Sequence, residues 1–515
     1  MTNRLIAENE GLDADLGTVT HPLPPGVIVE RDVRVKVRDG VLLDVTVARP
    51  EGEGRYPVIM CVTAYGKDFG PDQYSTLPKI KASGNAVRVM HICDVTTWEG
   101  PDPSFWVPNG YVVIVADPRG FYGSEGQAGI FSEKDAEDYN DLIEWAGTQP
   151  WSSGAVGLNG VSYLAISQWM AAAKAQSPYL KAIASWEGVS DLRQDWVEHG
   201  GIPETRFLPA WYTGSLARGA GEQMAETGPQ MMARAAERPF ELEKITVPAL
   251  ICGTWSDHGL HSRSAFEGFR RISSSQKWLY THGGNKWARY YSKDALSWQK
   301  AFFDHFLKGD DNDFEQWPRV RLETRVTQDQ YEVRSENMWP IESAEYLPAF
   351  LDIAERGLAW FPPAEAGSQT FDAEAKEALA FDLLFDRDTE VTGAMALKLW
   401  VSVLDADDLD IFVAVRKIDQ QGNIVHFYAK DGWRDGEVAL GWLRISERHL
   451  DAEHYQPWRP ILSRSRTQKV RLGEIVPVEI EILASSTLFE AGETLSQMYG
   501  RPTYPLLKQR VLIAA

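Results

Sequence analysis

A chain of 515 residues is too long for one ordinary domain, and with 44% hydrophobic residues it can fill more than one core, which excludes a disordered protein. Lys and Arg number 52 against 73 Asp and Glu, and the resulting charge of −21 argues against nucleic acid or an anionic membrane surface as partner. Cys61, Cys93 and Cys252 are too few and too scattered for a disulfide framework, and no apolar run has signal-peptide or bilayer length, so a cytoplasmic setting with no membrane partner is expected.

Residues 1–27 read as an irregular lead-in containing His21-Pro22-Leu23-Pro24-Pro25. Ile28–Val37 and Val41–Val47 alternate apolar and polar residues around Asp39-Gly40, the pattern of a hairpin. Tyr56–Thr63 is an apolar run that predicts a buried strand, stopping at Ala64-Tyr65-Gly66. Lys67–Asn109 is a long polar and aromatic insertion, and loops of that length in compact domains are usually functional. Tyr111–Ala116 is the next strand, followed by a glycine-dense crossover, Asp117-Pro118-Arg119-Gly120 and then Gly123-Ser124-Glu125-Gly126. Glu133–Gly147 has helical spacing with acids in its first turn, as the helix dipole prefers.

The stretch from Val156 to Ala173 organises the chain. Val156-Gly157-Leu158-Asn159 is small and apolar, like a buried parallel strand, and Ile166 to Ala173 is rich in helix formers. Gly160-Val161-Ser162 leaves almost no room for a loop between them. A serine there sits on a sharp turn, its hydroxyl lifted clear of the sheet, with the first amides of the helix aimed at what it attacks. The competing reading is an ordinary glycine turn with Ser162 as helix N-cap.

Leu180–Trp186 is a further strand. Residues 188–243, with Trp196 and Trp211 among many Ala, Arg, Glu and Met, predict an inserted helical cap. Strands Val247–Gly253 and Gln276–Thr281 follow, with a helix near Arg263–Ile272 between them and another over Ser292–Leu307. This alternation predicts an α/β fold with a parallel sheet, built from residues 28–187 and 244–312 around the cap. From 313 to 515 short β-rich runs dominate, which predicts a separate all-β sandwich of jelly-roll type.

A serine hydroxyl needs a base to take its proton, and the base needs an orienting acid. Asp257 follows the strand-like Leu250–Gly253, and His282 follows Lys277–Thr281 just before Gly283-Gly284. Both then lie past the C-terminal ends of strands, where open α/β sheets place their sites. His258 and His261 stand so near Asp257 along the chain that neither is the obvious base, and His91 lies in the long insertion. Asp257, His258 and His261 are metal-ligand types, yet no second cluster completes a site, so neither metal nor cofactor is expected. Two oxyanion donors are expected: the amide of Tyr163 and a group after the strand ending at Thr63, where Tyr65 stands.

Gly-Val-Ser-Tyr at 160–163, the crossover at 117–126, Tyr65, Trp-Ser-Asp at 255–257 and the His282 loop together resemble the cocaine-esterase and X-prolyl dipeptidyl-peptidase family of serine hydrolases. The likeness spans roughly residues 28–515. It implies an α/β-hydrolase domain with a helical cap and a C-terminal jelly roll. By motif it implies Ser162 as nucleophile, His282 as base, Asp257 as acid, and the Tyr65 hydroxyl and Tyr163 amide as oxyanion hole. Ala165 departs from the glycine usual in the family three residues after the serine, the cap is short, and the 67–109 insertion is unusual.

The expected activity is hydrolysis of a small-molecule carboxylic ester through an acyl-enzyme. The expected pocket aromatics are Trp98, Trp106, Trp186, Trp196 and Trp211, with Phe105 beside them. An X-Pro dipeptidyl-peptidase or an amide or β-lactam acylase on the same machinery is the alternative. It needs carboxylates for a substrate amine, with Glu187, Asp191 and Asp195 as candidates. A catalytically inactive binding protein ranks third. A homodimer is expected from family habit alone.

Overall fold

The computed structural model describes residues 5–6, 18–71, 90–175, 177–224, 226–237, 240–372, 379–430, 433–500 and 510–514. The middle of the 67–109 insertion and most of the N-terminal lead-in lie outside the described residues. The first half is a sheet whose main strands are β1 Val27–Lys36, β2 Leu42–Pro50, β3 Tyr56–Val62, β4 Val112–Ala116, β5 Ser152–Val161, β6 Leu180–Trp186, β7 Ala249–Thr254, β8 Lys277–His282, β9 Val320–Arg325 and β10 Gln330–Glu336. Their spatial order is β1-β2-β4-β3-β5-β6-β7-β8-β9-β10. From β4 to β9 every neighbour is parallel; the hairpin β1–β2 and strand β10 run antiparallel at the two ends.

The central strands are continuous apolar runs because helices cover both of their faces. All six residues of β7 are buried, as are the last six of β5. The main helices are α1 Glu133–Thr148, α2 Tyr163–Ala173, α3 Ser262–Arg271, α4 Lys286–Tyr290 and α5 Lys293–Phe303. Helix α1 starts on a capping box, in which the Ser132 hydroxyl accepts from the Asp135 amide and the Asp135 carboxylate accepts from the Ser132 amide. Between β6 and β7 the chain forms short helices, including Phe207–Trp211 and Gly228–Ala236, and one two-residue hairpin.

The second half packs its own core, with Phe381, Val401, Val413, Ile480 and Phe489 among its buried residues. Its main strands are β11 Leu379–Leu384, β12 Thr389–Val403, β13 Asp410–Ile418, β14 Ala439–Arg444, β15 Ile475–Phe489 and β16 Thr494–Gly500. Strand β12 pairs with β15, while β16 pairs with both β11 and β13, and β13 with β14, all antiparallel. The molecule is thus an α/β domain followed by a β-sandwich.

Buried contacts of Arg325 and of helix α3 help fix the sandwich to the α/β domain beside the strand ends. Arg325, at the end of β9, is buried and donates to the Trp255 carbonyl, the Val438 carbonyl and the hydroxyls of Ser485 and Thr487. Among the described residues no carboxylate pairs with it, and burial, against the pull of Glu323, pushes its guanidinium down to about 9. Helix α3 meets the sandwich through ion pairs of Arg263 with Glu481 at 3.1 Å and Glu267 with Arg459 at 2.6 Å. Among the described residues, no helix is long and apolar enough to cross a membrane.

Candidate active site

Ser162 sits between β5 and α2 with φ 58° and ψ −118°, a conformation that non-glycine residues avoid. The surrounding chain imposes it: the Ser162 amide donates to the Trp186 carbonyl at 3.1 Å, and the Val161 amide to the Glu99 carbonyl at 3.1 Å. The Ser162 side chain caps nothing, so the N-cap reading fails. Gly160 is required here, because a β-carbon on it would lie 2.6 Å from the Leu164 Cβ. The methyl of Ala165 is accommodated by the neighbouring strand end: a β-carbon at Gly188 would approach it to 3.2 Å. Helix and sheet therefore stay close although Ala165 replaces the usual glycine.

The imidazole facing this serine belongs to His261. Its Nε2 lies 3.1 Å from Ser162 Oγ, and its Nδ1 lies 2.5 Å from Asp257 Oδ2. One helical turn places acid and imidazole together, since the amides of Leu260 and His261 both donate to the Asp257 carbonyl at 3.1 Å. Residues four apart on such a turn share a face. Lys286, the first residue of α4, donates to the same Oδ2 at 3.0 Å. Burial opposes ionisation of Asp257, but Lys286 and His261 outweigh it and hold the carboxyl well below the usual range. A carboxylate at Oδ2 makes Nδ1 the proton-bearing nitrogen, which leaves Nε2 to accept from the serine hydroxyl. Burial first, and the Lys286 ammonium second, lower the proton affinity of His261, against the pull of Asp257 and Glu187.

The expected partnership of Ser162 with His282 is not formed. His282 ends β8 fully buried, its Nε2 lies 2.9 Å from Glu187 Oε1, and Trp186 and Tyr280 pack beside it. Burial pushes His282 down to about 3 and Glu187 up to about 8, each toward its uncharged form. His282 is the last residue of β8 and stays within the core, whereas His261 comes from the turn between β7 and α3, which lies against the serine.

Tyr65 follows β3, and its hydroxyl accepts from the Trp211 indole at 3.2 Å while its ring meets that of Tyr163 at 5.9 Å. The Tyr163 amide opens α2, where helix N–H groups have no intrahelical acceptor. Of the five expected pocket tryptophans, two come to the site. Trp196 lies 6.4 Å from the His261 ring and 5.0 Å from Trp211. The other three are core residues: Trp98 packs on Trp287, Trp106 on Tyr111 and Phe303, and Trp186 on Tyr280 and Tyr290. Phe131 and Phe207, which no sequence motif marks, complete the aromatic wall against Tyr163, Trp196 and Trp211.

Two groups of metal-ligand types occur among the described residues, Glu187–Cys252–His282 and Glu187–Asp257–His261, each with donor atoms within 4.8 Å of one another. In the first, His282 bonds Glu187; in the second, His261 bonds Asp257, which also carries the Lys286 ammonium. The donor set fits proton sharing rather than a cation. Chemically, the arrangement offers an alcohol, a neutral imidazole on it and a held carboxylate behind.

Residues 39–238 match the family model for X-Pro dipeptidyl-peptidase (S15 family), and residues 312–496 match the X-Pro dipeptidyl-peptidase C-terminal non-catalytic domain. A CocE/NonD family hydrolase from Staphylococcus aureus superposes with a TM-score of 0.90 at 38% identity, over 95% of this chain and 91% of its own. Cocaine esterase from Rhodococcus sp. (strain MB1 Bresler) is 25% identical over 93% of this chain and 91% of its own length. An aminopeptidase from a marine sediment archaeon, Thaumarchaeota archaeon, shares the fold with a TM-score of 0.69 at 16% identity, covering 98% of this chain and 97% of its own.

Proposed function

This chain belongs to the CocE/NonD family of hydrolases, and from that premise we propose that it is a serine hydrolase cleaving carboxylic esters through an acyl-enzyme. The observation that carries the reading is the relay Ser162 Oγ to His261 Nε2 at 3.1 Å and His261 Nδ1 to Asp257 Oδ2 at 2.5 Å. In it His261 takes the serine proton as Oγ attacks the ester carbonyl. Asp257 holds the ring's tautomer and stabilises the imidazolium. The Tyr163 amide and Tyr65 hydroxyl are assigned to the oxyanion, donors of the kind worth about 3 kcal/mol each. His261 then returns the proton to the leaving alcohol, and water attacks the acyl-enzyme by the same steps in reverse.

A plain ester fits better than a substrate bearing a free amine. The carboxylates that would bind an ammonium are engaged: Glu187 with His282, Asp195 with Ser264 and Arg263, Asp191 with the Gln194 amide. The aromatic wall of Trp196, Trp211 and Phe131 suits an apolar acyl or aryl group. Short acyl aryl esters should be hydrolysed by the wild type and not measurably above background by Ser162→Ala. Equal rates overturn the proposal. Faster turnover of an X-Pro anilide or an α-amino ester than of the plain ester would move the reading to a peptidase or acylase.

A further inference from the structure

Lys286 has no part in the relay just described, yet it touches the relay's acid. It is 8% exposed, its ammonium rests on the Asp257 oxygen that also receives the His261 Nδ1–H, and it stands 5.0 Å from the Trp287 ring. The loop that delivers it is fixed at both ends. The Gly283 amide donates to Glu323 Oε1 at 2.7 Å, and the Asn285 side chain caps α4 by accepting from the amides of Trp287 and Ala288. This is the loop after β8, from which a base was expected. It supplies a fixed cation instead.

Resting on the assignment of Ser162, His261 and Asp257 as the working relay, we propose that Lys286 is a positioning residue: it pins the Asp257 carboxylate and keeps His261 unprotonated, and so able to act as base, into mildly acidic solution. The groups facing the His261 ring are Asp257 from its own turn, Glu187 from the end of β6 and Lys286 from α4. Asp257 favours a charged ring. Lys286 acts against it twice, by repelling the imidazolium and by sharing the carboxylate oxygen that would stabilise it. Burial keeps Glu187 mostly protonated, which reduces its own pull. Lys286 is thus the one fixed positive charge among these three neighbours.

The test uses the full-length enzyme. In Lys286→Met the acid limb of kcat/KM should move upward by about 1 pH unit, the scale on which a near neighbour's charge shifts a titration. KM for a plain ester should stay unchanged, because Lys286 is assigned no contact with substrate. Lys286→Arg should restore the limb. Lys286→Gln, which keeps a donor but not the charge, should move the limb while holding more of the plateau rate. Independently of turnover, an NMR titration of the His261 ring, assigned against His261→Gln, should show a midpoint below the ordinary histidine value in the wild type and a higher one in Lys286→Met or Lys286→Gln.

Limb and midpoint unmoved in a folded Lys286→Met or Lys286→Gln overturn the proposal. If neither variant folds, a wild-type midpoint at or above the ordinary value overturns it. The ring titration separates this proposal from its premise. Full activity in Ser162→Ala with a shifted midpoint would remove the catalytic assignment and leave the contact, while an inactive Ser162→Ala with an unmoved midpoint would do the opposite.

Discussion

Two imidazole–carboxylate pairs lie buried side by side at the rim of the sheet, and they differ in what surrounds them. Asp257–His261 has an ammonium on its carboxylate and a serine hydroxyl on its ring, so it is ionised on one side and open to a proton on the other. Glu187–His282 has no ammonium hydrogen-bonded to its carboxylate among the described residues and has the Cys252 thiol rather than a hydroxyl beside it, and burial drives both members toward their uncharged forms. Residue type therefore does not decide which pair can do acid–base work. The fixed charge and the reachable hydroxyl do.

The largest test of that contrast is to remove each ring in turn. His261→Ala should cut kcat by about 10³- to 10⁴-fold or more, the usual loss for a relay base. His282→Gln, where the amide can still meet Glu187, should keep kcat within about 10-fold and show its effect mainly as a lowered melting temperature. Steady-state kinetics with thermal melts distinguishes the two, and a reversed order would exchange the roles of the pairs. A smaller effect is expected at the oxyanion. Tyr65→Phe should lower kcat by about 10²-fold with little change in KM. Unchanged kcat would remove that hydroxyl from the site.

The smallest effect concerns the silent pair. The folded protein holds Glu187 above its ordinary carboxylate value, so folding favours the protonated form, and stability falls as pH rises through the window between the two values. Glu187→Gln abolishes that term. Its melting temperature relative to wild type should climb across the window and then level off. A difference independent of pH would mean that Glu187 is ionised in the fold.

The parallel strands and the serine turn were legible because burial on both faces writes continuous apolar runs, and because a serine wedged between strand and helix has few conformations. Asp257 was legible as the first acid past such a run. The imidazole was not. His261 stands so near Asp257 along the chain that it looks too close to be its base, although a four-residue spacing is itself the signal of two side chains on one helical face. Trp98, Trp106 and Trp186 were assigned to the pocket from their type alone, and tryptophan fills cores as readily as it lines clefts. The bracing of α3 by Arg459 and Glu481 joins residues some 200 positions apart, and no local pattern encodes it.

Hanging acid and ring from a single turn leaves, between serine, ring and acid, one gap that spans separate parts of the fold, the one between hydroxyl and ring. Breathing of the sheet against α3 would open or close that gap while the carboxylate and imidazole travel as one piece. The sandwich grips α3 from outside through Arg459 and Glu481, and so braces the helix that begins directly after the ring.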